Sequence, residues 1–344
     1  MLSYNRKRQL LCLLGVAMIF CVYYKTANVQ TLKRTLITMD EPFQNGILPE
    51  GDPFAYFGIF DVKYDILDHE RTVYLINAIK KFRDVLILYS RDHDTQITGT
   101  ISFGKKMWKQ LIDGKTELLS SAPELINFPG YGKSPATQTD IYIHIHSAKL
   151  DANLDAARKI VSLLNGSDDL LTLVDEQFGF SYKNGRDLTG FIDGTMNPHG
   201  HDERKKAAIT KDFSSYVFVQ RYVHRLKKWE KLDIDQQEQV IGRTKNDSTE
   251  LSPLPMKAHI SRADVSENGN QLQIVRQSMP YASVSGEKGL WFTAYASSLH
   301  NHDSILKSMN GLAEDQIVDS ILTYIKPVTG AYFFVPSYDM IDKL

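Results

Sequence analysis

The alternation in residues 139–146, Thr-Asp-Ile-Tyr-Ile-His-Ile-His, constrains this chain more than any other stretch. Side chains alternate along a strand, so Ile141, Ile143 and Ile145 fall on one face and Tyr142, His144 and His146 on the other. The neighbouring segments read consistently around it. Residues 54–62, FAYFGIFDV, are aromatic and β-branched and predict a strand. Residues 71–82 carry Val73, Ile76, Ala78, Ile79 and Phe82 at helical spacing, and residues 96–103 alternate as a strand. Residues 151–164 predict a helix with Leu154, Ala157, Val161 and Leu164 on its apolar side and Asn165-Gly166 as its stop. Residues 170–180 predict another strand. The resulting order, β-α-β-β-α-β, is the split βαβ or ferredoxin-like arrangement.

A similar order follows a loop spanning about 183–212. Strands are expected at 216–224, 271–276, 290–297 and 330–336, with helices at 233–242 and 302–309. The chain has 344 residues, enough for two such units. The fold class is therefore α+β, with two ferredoxin-like domains at 46–182 and 183–344 and an extension at 1–45. No short-period repeat is present, which separates this duplicated architecture from a solenoid.

Forty basic and 41 acidic residues give a formal charge of −1, so there is no basic excess of the kind that marks a nucleic-acid binder. Both cysteines, Cys12 and Cys21, lie in the N-terminal apolar stretch, so the rest of the chain can form neither a disulfide nor a thiolate metal site. That stretch runs for 15 residues from Leu10 to Tyr24, behind Arg6-Lys7-Arg8. It is short for a membrane span of about 20 residues and is within signal-peptide length. Two readings remain open. Residues 10–24 anchor the protein in an inner membrane, or translation starts at Met39 and the protein is cytoplasmic.

Three constellations stand out for chemistry. The loop from Gly185 to Pro198 contains Gly190-Phe191-Ile192-Asp193-Gly194-Thr195, and such a density of special residues often surrounds a ligand. Asp193-Gly194 is equally a plain turn. His259 sits in Ala258-His259-Ile260-Ser261-Arg262, one of ten histidines. Arg276 is bracketed by apolar residues at a strand end, where a buried guanidinium needs an anion or aligned acceptors. His144 and His146, and likewise His199 and His201, could approach a metal, but no third ligand is evident beside either pair.

Together these residues resemble the dye-decolourising peroxidase family, in its bacterial P-type (formerly B-type) group. Gly190 to Thr195 resembles the family's glycine–x–x–aspartate–glycine signature. His259 resembles its proximal haem ligand, and Arg276, seventeen residues later, its distal arginine. Gly46-Ile47-Leu48-Pro49-Glu50, Phe128-Pro129-Gly130-Tyr131-Gly132, Ile241-Gly242-Arg243-Thr244-Lys245 and Lys326-Pro327-Val328-Thr329-Gly330 resemble family segments in the expected order. The likeness covers residue 46 to the C-terminus. It implies two ferredoxin-like domains, with one haem b per chain in the second.

It also implies roles. His259 binds iron, with Asp303 expected as the carboxylate on its other ring nitrogen. Asp193 moves a proton between the two peroxide oxygens, and Arg276 stabilises the negative charge that develops. Ser278, expected on the same strand face as Arg276, orders a water. Arg243 pairs with a haem propionate, and Gly194 and Thr195 adjoin the cofactor. Hydrogen peroxide and organic donors (dyes, phenolics, porphyrinogens) are the expected substrates, and a homo-oligomer the expected assembly. No long C-terminal tail follows residue 336, so no encapsulin partner is expected. The alternatives are a porphyrin or haem-iron handling protein of the deferrochelatase kind, a non-catalytic haem carrier, and a ferredoxin-like interaction module without cofactor.

Overall fold

In a computed structural model, residues 41–344 are described. Four strands build the first half: β1 (Phe54–Val62), β2 (Ile97–Phe103), β3 (Ile141–Ser147) and β4 (Leu171–Phe180). They pair in the order β4-β1-β3-β2, antiparallel throughout. Helices α1 (His69–Lys80), α2 (Phe82–Asp92), α3 (Lys105–Leu111) and α4 (Leu150–Asn165) accompany them. The expected helix at 71–82 is α1, and a second helix, α2, follows it directly. Asp68 caps α1 by accepting from the Arg71 N–H, and the backbone turns at Lys81 before α2 begins.

The second half contains α5 (His201–Ala208), β5 (Ser215–His224), α6 (Ile234–Ile241), α7 (His259–Ala263), β6 (Val275–Arg276), β7 (Met279–Ala282), β8 (Lys288–Ala296), α8 (Leu299–Met309), β9 (Ile325–Pro327) and β10 (Ala331–Val335). The path β10-β5-β8-β6 repeats the order of the first half, with β7 also on β8 and β9 also on β5. One register pair, Phe334 with Phe103, joins the two half-sheets through β10 and β2. The result is the duplicated ferredoxin-like α+β fold. Three expectations need correction. The loop at 183–212 contains α5. The strand at 271–276 is broken at 272–274: Asn270–Gln271 pair with Ser266–Glu267 in a separate hairpin, and only Val275–Arg276 join the main sheet. The buried face of α4 is Ala152, Ala156, Ala157, Ile160 and Leu164, while Leu154 is exposed, because small side chains let the helix sit close to the sheet.

The ten-stranded sheet curls until β4 lies against β7. Gly179 permits the close approach: a Cβ there would stand 2.6 Å from the Met279 Cβ. Phe57, Tyr142, Val217, Trp291, Tyr295 and Phe333 fill the inside of the curl. His144 and His146 belong to this core. His144 stacks on Phe57 at 4.9 Å and bonds to the Tyr295 hydroxyl at 2.9 Å, while His146 meets Asp52 at 2.7 Å. Among the described residues no group of three or more histidine, cysteine, aspartate or glutamate side chains is placed to hold a metal ion. The aliphatic face of β3 packs under α1, α2 and α4 with Leu75, Ile79 and Ile160.

Candidate active site

A cavity opens on the other face of the second half-sheet. Strand alternation builds its floor. Phe218 and Tyr222 of β5, with Leu290 and Phe292 of β8, face the cavity, while Val217, Val219, Trp291 and Tyr295 turn into the core. Helix α8 adds Ile305, Leu306 and Met309. Into this mostly apolar space project His259, Asp193, Arg276 and Arg243. The fold therefore gathers residues up to 83 positions apart in the chain.

His259 is the first residue of α7. Its Nδ1 lies 2.7 Å from Asp319 Oδ2. The imidazole is 31 % exposed to the cavity, whereas the Asp319 side chain is fully buried. With Nδ1 engaged, Nε2 is the ring nitrogen left for a ligand. Asp319 is itself fixed, because Oδ1 caps the 3-10 turn Ser320–Thr323 by accepting from the Ile321 N–H at 2.9 Å. Burial pushes the His259 pKa down, but the Asp319 charge and hydrogen bond push it up by more, and the net direction is up. Asp303, the expected partner, is elsewhere. It accepts from the Tyr131 hydroxyl and pairs with Lys307 at 2.7 Å, because its position on α8 faces the first half of the chain.

The loop from 185 to 198 is held at many points. The Asp193 N–H donates to the Gly185 carbonyl at 2.9 Å, and Arg186 Nη1 donates to the Gly190 carbonyl at 2.8 Å. The Gly194 N–H donates to Asp193 Oδ1 at 2.7 Å. Gly194 has φ +77°, and the nearest atom to a Cβ built there is 3.8 Å away, so the backbone faces open space. Thr195 accepts from Arg243 Nη1 at 3.0 Å. Arg243 Nη1 also donates to the Ser248 carbonyl at 3.3 Å, Nη2 donates to the Met196 sulfur at 3.0 Å with Glu250 at 4.0 Å, and the buried Nε has no partner among the described residues. A guanidinium in that state is suited to an incoming carboxylate. Arg276 closes the sheet beside Ala294 of β8. Burial lowers its pKa, and the Asp193 carboxylate opposes that shift. Ser278 also lines the cavity, but it lies outside a strand, and its hydroxyl faces the backbone of Thr293, accepting from the N–H at 3.2 Å.

A second, open cleft shares Asp193, Gly194, Arg276 and Ser278 with the cavity, so these residues form the wall between the two spaces. An aspartate and an arginine in such a wall, with an accessible imidazole nitrogen in the same chamber, are groups whose chemistry suits proton transfer, charge stabilisation and metal binding.

Comparison with known proteins gives this arrangement its family. The profile of the Dyp-type peroxidase N-terminal domain matches residues 44–181, and that of the C-terminal domain matches residues 184–340. The dye-decolorizing peroxidase of Mycobacterium tuberculosis (strain ATCC 25618 / H37Rv) is 33% identical over 301 residues, covering 84% of this chain and 88% of the relative. The chain belongs to the Dyp-type peroxidase family. This Dyp-type peroxidase is an enzyme, an oxidoreductase that uses peroxide as electron acceptor. Solved structures agree. The dye-decolorizing protein from V. cholerae is 39% identical, with a TM-score of 0.78 over 87% of this chain and 99% of the other. A DypB variant from Rhodococcus jostii RHA1, solved in complex with heme, is 27% identical, with a TM-score of 0.77 over 86% and 97%. Asp319 escaped sequence reading, since its partner is 60 residues away. An aspartate before Ser-Ile-Leu was legible as a cap, not as a histidine partner.

Proposed function

We propose that the cavity holds one haem b per chain, whose iron His259 would bind. The observation that carries this reading is the His259–Asp319 pair, which fixes the ring through Nδ1 and leaves Nε2 to a mostly apolar chamber. The chain's donor set fits the group: one neutral imidazole for iron, apolar walls for the macrocycle, and Arg243 with an unpartnered Nε for a propionate. Gly194 and Thr195 line the same space. Bound there, haem supplies the iron that accepts and passes on electrons while peroxide is reduced.

The protein's own groups manage protons and charge. Asp193 takes a proton from one peroxide oxygen and returns it to the other, so that the second oxygen leaves as water. Arg276 stabilises negative charge as the O–O bond breaks. Ser278 orders a water beside them. Two organic donors, such as dyes, phenolics or porphyrinogens, each give one electron per peroxide consumed. We read residues 46–182 and 183–344 as the two domains and the assembly as a homo-oligomer. The compartment is cytoplasmic with a start at Met39, or the inner membrane with residues 10–24 as an anchor. Those residues lie outside the described ones, among which no helix is long and apolar enough to cross a membrane.

The test is a Soret spectrum with peroxide-dependent dye turnover for wild type, His259→Ala and Arg276→Ala. His259→Ala should lose haem. Arg276→Ala should keep haem and lose turnover by about 10²–10³-fold, the usual cost of removing a transition-state charge partner. Wild-type behaviour of both variants would end this assignment, and haem binding by wild type without turnover would make the protein a haem carrier or porphyrin handler.

A further inference from the structure

Asn197 stands four residues after Asp193 and has no role in the reading above. Its backbone N–H donates to the Gly194 carbonyl at 3.0 Å and closes the turn behind Asp193. Its side chain does something separate. Nδ2 donates to the Arg276 carbonyl at 2.8 Å, and Oδ1 accepts from the Arg276 N–H at 2.9 Å. Oδ1 also accepts from Arg276 Nε at 3.4 Å.

β6 is the terminal strand of the sheet path, and β8 occupies one of its edges. On the other edge the Asn197 carboxamide meets both the N–H and the C=O of Arg276. It stands where a neighbouring strand's peptide group would stand, one donor and one acceptor in a single planar unit. Among the described residues no other hydrogen bond holds the Arg276 guanidinium. The partner residues are 79 positions apart, so this contact joins two loops that local structure alone would leave independent.

The geometry points to Asn197 as the positioning residue of the peroxide-side pair: its carboxamide ties the Arg276 backbone and Nε to the loop that carries Asp193, fixing the acid–base group and the cation as one unit. This rests on the assignment of Asp193 and Arg276 to peroxide. The competing explanation is a plain turn, since Asn-Pro favours turns. A turn accepts serine at this position. A clamp does not, because serine is too short to make both backbone contacts with Arg276.

The haem-loaded Asn197→Ser enzyme is therefore compared with wild type and Arg276→Ala. Five quantities are read: haem content, melting temperature, Kd for fluoride by Soret titration, kcat/KM for peroxide and KM for the donor. Haem content, melting temperature and donor KM should match wild type. Fluoride, an anion that probes the same cation, should bind about 10-fold more weakly, and kcat/KM for peroxide should fall by about 10–100-fold, a cost typical of a misplaced catalytic group. If Asn197→Ser fails to fold, Asn197→Asp takes its place. It keeps the acceptor for the Arg276 N–H and loses the donor to its carbonyl, and the same directions are expected. Wild-type fluoride affinity and peroxide rate in the Asn197 variant, with both lost in Arg276→Ala, would leave Asn197 as a turn residue and overturn the proposal. Wild-type values in Arg276→Ala as well would remove the underlying assignment and the proposal with it.

Discussion

The two halves of the sheet run in the same order, but they treat their second strand differently. In the first half, β2 is a continuous seven-residue strand, buried throughout and paired with β3 along its whole length. In the second half its counterpart is broken into β6 and β7, with Gln277 and Ser278 between them bonding to the Thr293 backbone. Helices α1, α2 and α4 close over the first half-sheet with Leu75, Ile79 and Ile160. Over the second, the connection from β5 to β6 contains α6, α7 and long loops, and a cavity remains. One copy of the fold is a packed scaffold, and the other gives up regular packing where Arg276, Asp193 and His259 face the cavity.

The sharpest way to break this comparison is a cavity in the scaffold. Ile143 is fully buried at the centre of β3. Ile143→Ala should cost about 2–5 kcal/mol of stability, measured by urea unfolding, because it removes transfer energy and leaves a void. The Soret position of the folded fraction should not move. A changed Soret band would mean that the first half does more than support the second.

How much of this division was legible in the sequence depends on where the signal is local. β1 was read at its observed limits because its apolar residues are contiguous and need no partner to identify them. The face of α4 was misread because Ala152 and Ala156 carry the contact, and hydrophobic spacing weights larger residues such as Leu154. Apart from the family resemblance that assigned their roles, Asp193, Arg276 and His259 were visible only as special residues in unusual settings, each with a plain alternative. Their convergence depends on the antiparallel register of β5, β8 and β6, which no single segment encodes. Asp319 was missed for the same reason, since its link to His259 is a contact in space.

A second prediction uses pH to separate the halves. His302 on α8 lines the cavity and is buried, and burial pushes its pKa down to about 4. The unfolded chain therefore binds a proton below about pH 6.5 that the folded chain refuses until about pH 4. Its stability contribution is complete above the unfolded pKa and is lost as pH falls from there toward the folded pKa. His302→Gln should shrink the stability difference between pH 7 and pH 4.5 by about 2 kcal/mol in urea titrations. An unchanged difference would mean that His302 is hydrated in the cavity and titrates normally.

Within the second half, Asp319→Asn removes the charge beside His259 and leaves one carbonyl oxygen where two carboxylate oxygens now accept, from the His259 ring and from the Ile321 N–H. Activity or haem affinity should fall by about 10–100-fold, as for other carboxylate–histidine partners. Turnover of the haem-loaded variant and haem transfer to an acceptor apoprotein measure the two. Wild-type values for both would show that orientation of the ring, and not the charge behind it, is what His259 needs.

The smallest effect is expected at Asp303, and its smallness is the point. Asp303 pairs with Lys307 one helical turn away, with the lysine half exposed, and accepts from Tyr131. Exposed pairs of this kind contribute about 0–1 kcal/mol. Asp303→Asn should therefore lower stability by less than about 1 kcal/mol and leave haem affinity and turnover unchanged. Asp303 and Asp319 lie 16 residues apart and are both carboxylates downstream of His259, so position in the sequence does not separate them. Geometry does: Asp319 is 2.7 Å from the His259 ring, while the Asp303 carboxylate is occupied by the first half. If Asp303→Asn cost as much activity as Asp319→Asn, the Tyr131–Asp303 contact would be transmitting the state of the scaffold to the cavity. The division of labour between the two halves would then fail at α8, the helix that touches both.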